Sequence, residues 1–459
     1  MSQEENVLGT QNVGKLLVKL ALPAVVSQLV NMLYNVVDRV YIGHIPENGV
    51  VALTGVGLCF PIIMLVSAFA CLFGMGGAPQ AAISMGKGDN KKAEHILGNC
   101  VSALVITSVV LTIIFLVFGQ SLLMLFGASE GTIEYAWSYL SIYVCGTIFV
   151  QMSLGLNMFI TTQGFATKAM GTVLIGALLN SVLDPIFIYG FHMGVKGAAT
   201  ATIISQAVSA IWVLHFLTGK KTKLRIRFVQ MKLDRKILLQ VAALGMAPFV
   251  MQATESLLNI CFNSSLQRYG GDLAVGAMTI LSSVGQLLLL PMQGITQGAQ
   301  PIISFNYGAG KVERVKQAVK LQFLVCITFS SLMWALVELF PSTFIHIFNS
   351  KEELVTMATW ALRLYCSGMF VLGAQIACQQ SFVALGQAKV SLLLACLRKL
   401  ILLIPFIFIL PIFIKNQVFA VFLAEPIADV CAAVITVLTY VFISGKILKV
   451  EGTGNADNI

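Results

Sequence analysis

GMGGAPQAAISMGKGDNKKAEHI (residues 74–96) returns about 222 residues later as GAQPIISFNYGAGKVERVKQAV (298–319), with Pro79 on Pro301, Gly86 on Gly308 and Gly88 on Gly310. The starts of the two halves also agree, ALPAVV (21–26) against MAPFVM (246–251). A third match pairs FITTQGFATK (159–168) with FVALGQAKV (382–390), placing Gly164 on Gly386. In both copies of the first match an apolar run meets a Gly-containing polar turn, and a second run follows. The chain therefore reads as a duplicated unit, 1–218 and 237–459, joined by a basic linker at 219–236.

Only 49 of the 459 residues are charged, 11%, against about 25% in a soluble globular protein. Apolar residues make up 57%. A spanning helix needs about 20 of them. Apolar runs between breakers predict twelve helices, at about 15–43, 50–84, 93–118, 134–161, 168–190, 196–218, 236–267, 272–304, 314–340, 354–384, 390–413 and 417–445. The fold class is an all-α polytopic membrane protein of two pseudo-symmetric six-helix lobes. Six helices per copy give both copies one orientation, so they should be related by an axis along the membrane normal. Two such lobes can rock, which is the physics of alternating access. The longest clearly polar stretch, Gly219 to Lys236, is too short for a soluble catalytic domain.

An even number of spans puts both termini on one side. With the termini cytoplasmic, 23 of the 29 Lys and Arg fall inside, eight of them between Lys220 and Lys236. Arg39, Lys196, Arg268, Lys351, Arg363 and Lys415 fall outside. The net charge of +9 is thus a topology signal of the positive-inside kind, and no nucleic-acid partner is expected. The N-terminus, MSQEENVLGTQN, lacks the basic region of a signal peptide, so the first span should remain as helix 1. The ten cysteines form no C-x-x-C pair and read as small buried apolar residues.

Several chemistries lack their residues. GAGK (308–311) fails the phosphate-loop spacing at Phe305 and Val312, and neither H-E-x-x-H nor G-x-S-x-G occurs. No enzyme activity and no cofactor are expected. Charges inside the hydrocarbon region cost roughly 2.5–3.5 kcal/mol each by the lower scales, so intramembrane acids are functional candidates. They are Asp38, Asp184, Glu255, Glu425 and Asp429. Ser27, Asn31, Asn35 and Asp38 share one face of helix 1. Asn180 and Asp184 are one turn apart on helix 5, helix 6 carries Thr202, Gln206 and Ser209, and helix 4 carries Asn157. Two carboxylates, amides and a hydroxyl suit a small hard cation such as Na+, at Asp38, Asn180 and Asp184, or a shared proton, rather than a transition metal. The alternative for each polar residue is a hydrogen bond to a neighbouring helix. On helix 7, Gln252, Glu255, Ser256, Asn259 and Asn263 share a face. Together with Asn31 and Asn35, its residues Gln252, Glu255, Ser256 and Asn259 are the candidate lining of a substrate cavity. Glu255 either meets cationic cargo or pairs with Arg398 or Lys399, which also could neutralise Glu425 and Asp429.

AQPIISFNYGAG (299–310), APQAAISMGKGD (78–89), LPAVVSQLVNMLYNVVDRVYIG (22–43) and LNSVLDPIFIYG (179–190) resemble the multidrug and toxic compound extrusion (MATE) transporters over nearly all of residues 10–445. The likeness is nearest to the bacterial branch of MepA-type pumps. The resemblance implies cation-driven export of drugs and other organic cations. It maps the family's coupling residues onto Asp38, Asn157, Asn180, Asp184 and Thr202, and its helix 7 glutamate onto Glu255. Where some sodium-driven members have a helix 10 aspartate, this chain reads VLGAQIACQQ (371–380), with no acid. That shifts weight to the first lobe.

The expectation is a secondary active exporter of cationic amphiphiles, exchanging them for Na+ or H+ by alternating access. It should be a monomer among membrane lipids in the bacterial cytoplasmic membrane. The rivals are a lipid-linked precursor flippase of the same architecture, a channel, and an intramembrane enzyme.

Overall fold

The twelve runs become twelve spans. A computed structural model of the chain describes residues 7–46, 49–347 and 352–450, without the side chains of Val50 and 448–450. Lys351 and the first six residues lie outside the described residues. Among the described residues, nine helices are long and apolar enough to cross a membrane singly, two bent pairs add one span each, and the longest holds two spans joined at Gly271. The spans are α1 (Val13–Gly43), α2 (Gly49–Leu58 running on into Phe60–Gly86), α3 (Asn90–Leu125), α4 (Ile133–Cys145 and Thr147–Thr162), α5 (Ala166–Pro185, continued as a π-helix over Ile186–Gly190) and α6 (Val195–Thr218). The second six are α7 (235–270), α8 (272–308), α9 (Val312–Leu339), α10 (Glu352–Cys366 and Met369–Ala384), α11 (Ala388–Phe413, with a π-helix over Leu397–Leu403) and α12 (Gln417–Val450). No strand occurs among the described residues. The predicted end that falls furthest short is that of α3, which runs past Gly119, packed beneath Trp137, and stops only at Gly127 with φ +100°.

The duplication repeats bond by bond. At the end of α2, Gly88 has φ +82°, and the N–H groups of Gly88 and Asp89 donate to Met85 O and Ser84 O. At the end of α8, Gly310 has φ +68°, and Gly310 and Lys311 donate to Tyr307 O and Asn306 O. Gly164 and Gly386, with φ +91° and +73°, close α4 and α10 in the same way. Each turn needs a left-handed residue to satisfy the last helical carbonyls, which is why glycine stands there in both copies. The bends match too. α4 breaks by 58° at Gly146 and α10 by 45° beside Gly368.

The chain forms two compact units, whose boundaries fall within α1 and α7. One is Val26–Gln252. In it α2 packs on the second part of α4, α5 on α6, and α3 on both α2 and α4. The other joins Met1–Val25 to Ala253–Ile459, with α9 and α12 on the second part of α10 and α11 on α12. Here the short helix Val7–Thr10 is docked by side chains from the α8–α9 turn. Asn306 Nδ2 and Arg314 donate to Leu8 O at 2.9 and 3.2 Å, and Lys311 Nζ donates to Gly9 O at 2.9 Å. The GAGK lysine is thus a helix clamp.

In the first unit the basic linker is equally fixed. Gln163 Oε1 accepts from the N–H of Lys223 and Leu224 at 2.7 and 2.9 Å, and Glu94 pairs with Arg227 at 3.2 Å. The start of α7 crosses α2 so closely that a Cβ at Gly245 would overlap the Leu72 carbonyl, with no flexible side chain to yield. Gly245→Val should cost at least ~1–3 kcal/mol, the usual range for overpacking. A detergent-solubilised variant with an unchanged thermal midpoint would contradict this.

Arg398 and Lys399 need a correction. They count with the cytoplasmic bases in the sequence, but they lie within α11, Arg398 on the buried Glu425 and Asp429 and Lys399 on the half-exposed Glu255. The inside total drops from 23 to 21 against 6, and the asymmetry survives.

Candidate cation site in the first unit

Asn180 and Asp184 sit one turn apart on α5, at 1% and 0% exposure. Asn180 Nδ2 donates to Asp184 Oδ1 at 3.3 Å and to Thr202 Oγ1 of α6 at 3.4 Å. Asp38 of α1, 9% exposed, lies against Asp184. Its neighbour Arg39 turns away to the Phe60 ring, 5.6 Å from the centroid. Directly after Asp184, Pro185 lacks an N–H, and the helix widens into the π segment, where Phe191 N donates to Ile186 O at 2.9 Å. Such widening is common at functional sites. Tyr189 of that segment donates its hydroxyl to Tyr41 O at 2.7 Å, tying the C-terminal ends of α5 and α1 together.

Asp38 Oδ1, Asn180 Oδ1 and Asp184 Oδ2 are buried and receive no hydrogen bond. They belong to side chains in mutual contact. A carboxylate accepts only, and a buried acceptor without a donor costs free energy. Chemically, this acceptor-rich group favours a cation or an added proton.

Sequence reasoning missed an aromatic wall. Tyr34 and Tyr139 approach Thr202, both lie within electrostatic range of Asp38, and Tyr143 stacks on Tyr139 with centroids 6.2 Å apart. The signal was present: Tyr34 is four residues before Asp38, and Tyr139 and Tyr143 are themselves one turn apart.

The remaining candidates are placed elsewhere. Asn157 donates to Ala169 O at 3.2 Å, fifteen residues before Asp184 and hence ~22 Å along α5 at 1.5 Å per residue. Its Oδ1 is buried without a donor. Asn31 and Asn35 are exposed, with Asn35 Nδ2 bonded to Asn31 O at 2.7 Å. Gln206 accepts from Ser153 at 2.6 Å, and Ser209 donates to Thr172 O at 3.1 Å, as interhelical links. Gln252 contacts Met64 Sδ at 3.4 Å. In the other unit, Glu255 pairs with Lys399, Asn259 bonds Glu255 O at 3.1 Å, and the Ser256 hydroxyl is buried without a partner. Arg398 meets Asp429 at 2.7 Å and Glu425 at 3.1 Å.

The comparisons with known proteins agree with this architecture. Multidrug export protein MepA of Staphylococcus haemolyticus (strain JCSC1435) is 23% identical over 396 residues, 86% of each chain. A crystal structure of MATE in the bent conformation matches with a TM-score of 0.91 at 24% identity, covering 98% of this chain and 100% of that one. A MOP superfamily transporter from Pyrococcus furiosus, whose binding pocket is described as of reverse polarity, matches with a TM-score of 0.90 at 24% identity, covering 97% and 99%. The sequence model of the family described as MatE matches residues 23–186 and again 248–409, one stretch in each half of the duplication. Its two matches to that one model together cover most of its length, and the chain belongs to the MatE family of transporters.

Proposed function

We propose that the protein is a secondary active exporter of cationic amphiphilic compounds, driven by Na+ or H+ through Asp38 and Asp184. The observation that carries this is the trio of donor-less buried oxygens on Asp38, Asn180 and Asp184. An inward-moving cation or proton binds there and alters the packing of α1, α5 and α6. It drives export only through its differential affinity for the two access states. The drug-export names of the staphylococcal relatives support the cargo class. So do the charges set deep in the spans, where Asp38, Asp184, Glu255, Glu425 and Asp429 outnumber Arg39, Arg398 and Lys399. Both termini are cytoplasmic, the membrane is the bacterial plasma membrane, and the transporter acts as a monomer in lipid. The basic asymmetry supports the orientation.

The test is reconstitution in vesicles, with Na+ and H+ gradients imposed separately on dye-loaded protein. One of the two gradients should accelerate dye export several-fold. Equal export under either gradient and under none would overturn the coupling. Binding of a lipid-linked pyrophosphate with no binding of cationic dyes would replace this reading by the flippase.

A further inference from the structure

A second buried charge group, in the other unit, is not used by the coupling scheme. It gathers Glu255 of α7, Arg398 and Lys399 of the α11 π segment, and Glu425 and Asp429 of α12. Arg398 Nε donates to Asp429 Oδ1 at 2.7 Å, and its Nη2 reaches Glu425 Oε1 at 3.1 Å. Lys399 Nζ pairs with Glu255 Oε1. Tyr365 lies within electrostatic range of Glu425, Asp429 and Arg398.

Two features of this group point to a ligand. The first is its charge. Three carboxylates face two bases, so the fully ionised group is short of one positive charge. In an apolar interior such an imbalance is expensive, and a monovalent cation would close it. The second is access. The Arg398, Lys399, Glu425 and Asp429 side chains are 13%, 5%, 12% and 5% exposed, whereas Glu255 is 49% exposed. The one open member is a carboxylate whose paired ammonium comes from inside the protein.

We propose that Lys399 is a tethered stand-in for the cargo: an organic monocation takes the Glu255 carboxylate, and Lys399 withdraws to the Glu425 side of the group. The Lys399 ammonium already interacts with Glu425, so its retreat needs no new partner. After exchange, three carboxylates face Arg398, Lys399 and the cargo, and the charges balance. Lys399 therefore competes with cargo and sets its affinity as a positioning residue. This inference rests on the reading of the cargo as an organic cation.

Equilibrium binding of tetraphenylphosphonium to purified, folded protein tests it without any transport step. Lys399→Gln removes the competitor and should tighten binding about tenfold. Glu255→Gln should weaken it at least tenfold, and the double variant should match Glu255→Gln. Lys399→Arg keeps the charge and the pairing, so it should fold even if Lys399→Gln does not. Its planar fork holds a carboxylate at two points, and binding should weaken several-fold. Unchanged binding in Lys399→Arg, or unchanged or weaker binding in folded Lys399→Gln, would overturn the exchange while leaving the cargo class intact. Absence of binding to the wild type and to every variant would overturn the cargo reading and this inference with it.

Discussion

Asp184→Asn should cut gradient-driven export at least tenfold and leave the protein folded. The substitution keeps the shape of the side chain and the oxygen that accepts from Asn180 Nδ2 at 3.3 Å. It removes only the charge. Because the carboxylate is wholly buried beside Asp38, loss of charge there should cost little stability and can even relieve repulsion. Coupling is different in kind. A cation drives export only by binding one state more tightly than the other, and each tenfold of that preference is about 1.4 kcal/mol. With one carboxylate neutral, the site loses its main attraction for Na+ and one of its two proton acceptors. We expect initial dye efflux from energised vesicles to fall at least tenfold in Asp184→Asn and in Asp38→Asn, with thermal midpoints in detergent close to wild type. Full efflux in both well-folded variants would remove the first-unit site from the mechanism.

The largest effect on stability is expected at Arg398. Its guanidinium answers both Asp429 and Glu425, and all three side chains are largely buried. Arg398→Met has similar length but leaves two carboxylates facing each other among apolar neighbours. Breaking a buried pair in this way costs about 3–5 kcal/mol, far more than a surface ion pair. The detergent thermal midpoint of Arg398→Met should drop by many degrees. Adding Glu425→Gln and Asp429→Asn removes the stranded charges and should recover most of the loss. If the single variant melts like wild type, the arginine is not holding these acids in place.

Much of this was legible because helices and turns announce themselves locally. Gly88 and Gly310 stand where only a left-handed turn lets the chain reverse, so spacing alone located the joints of both halves. Asn180 and Asp184 were legible as a pair because one helical turn carries two side chains to one face, and Thr202 does meet them. Asn157 shares their chemistry but not their depth, since polar identity says nothing of position along a neighbouring helix. The tyrosines escaped notice for another reason. In a chain rich in aromatics, Tyr34, Tyr139 and Tyr143 look like lipid-facing residues until the packing turns them onto Asp38 and Thr202. Arg398 and Lys399 are legible as partners of Glu255, Glu425 and Asp429, yet they also fall into the cytoplasmic count, because sequence does not give depth along α11. No sequence pattern announces that residues 7–25 pack with residues beyond 253.

That last arrangement bears on how the molecule is made. The carbonyls of Leu8 and Gly9 leave the ribosome well before Asn306, Lys311 and Arg314, which hold them and follow about three hundred residues later. At ordinary synthesis speeds of roughly 5–20 residues per second, that delay is on the order of 15–60 s. During it the wholly buried Leu8, Leu16 and Leu20 have no finished partner surface. Until those residues emerge, the nascent stretch around Leu8 lacks the groups that hold it in the finished fold. A chain that stops early would carry that stretch unheld, available to membrane chaperones and proteases as the mark of an incomplete transporter.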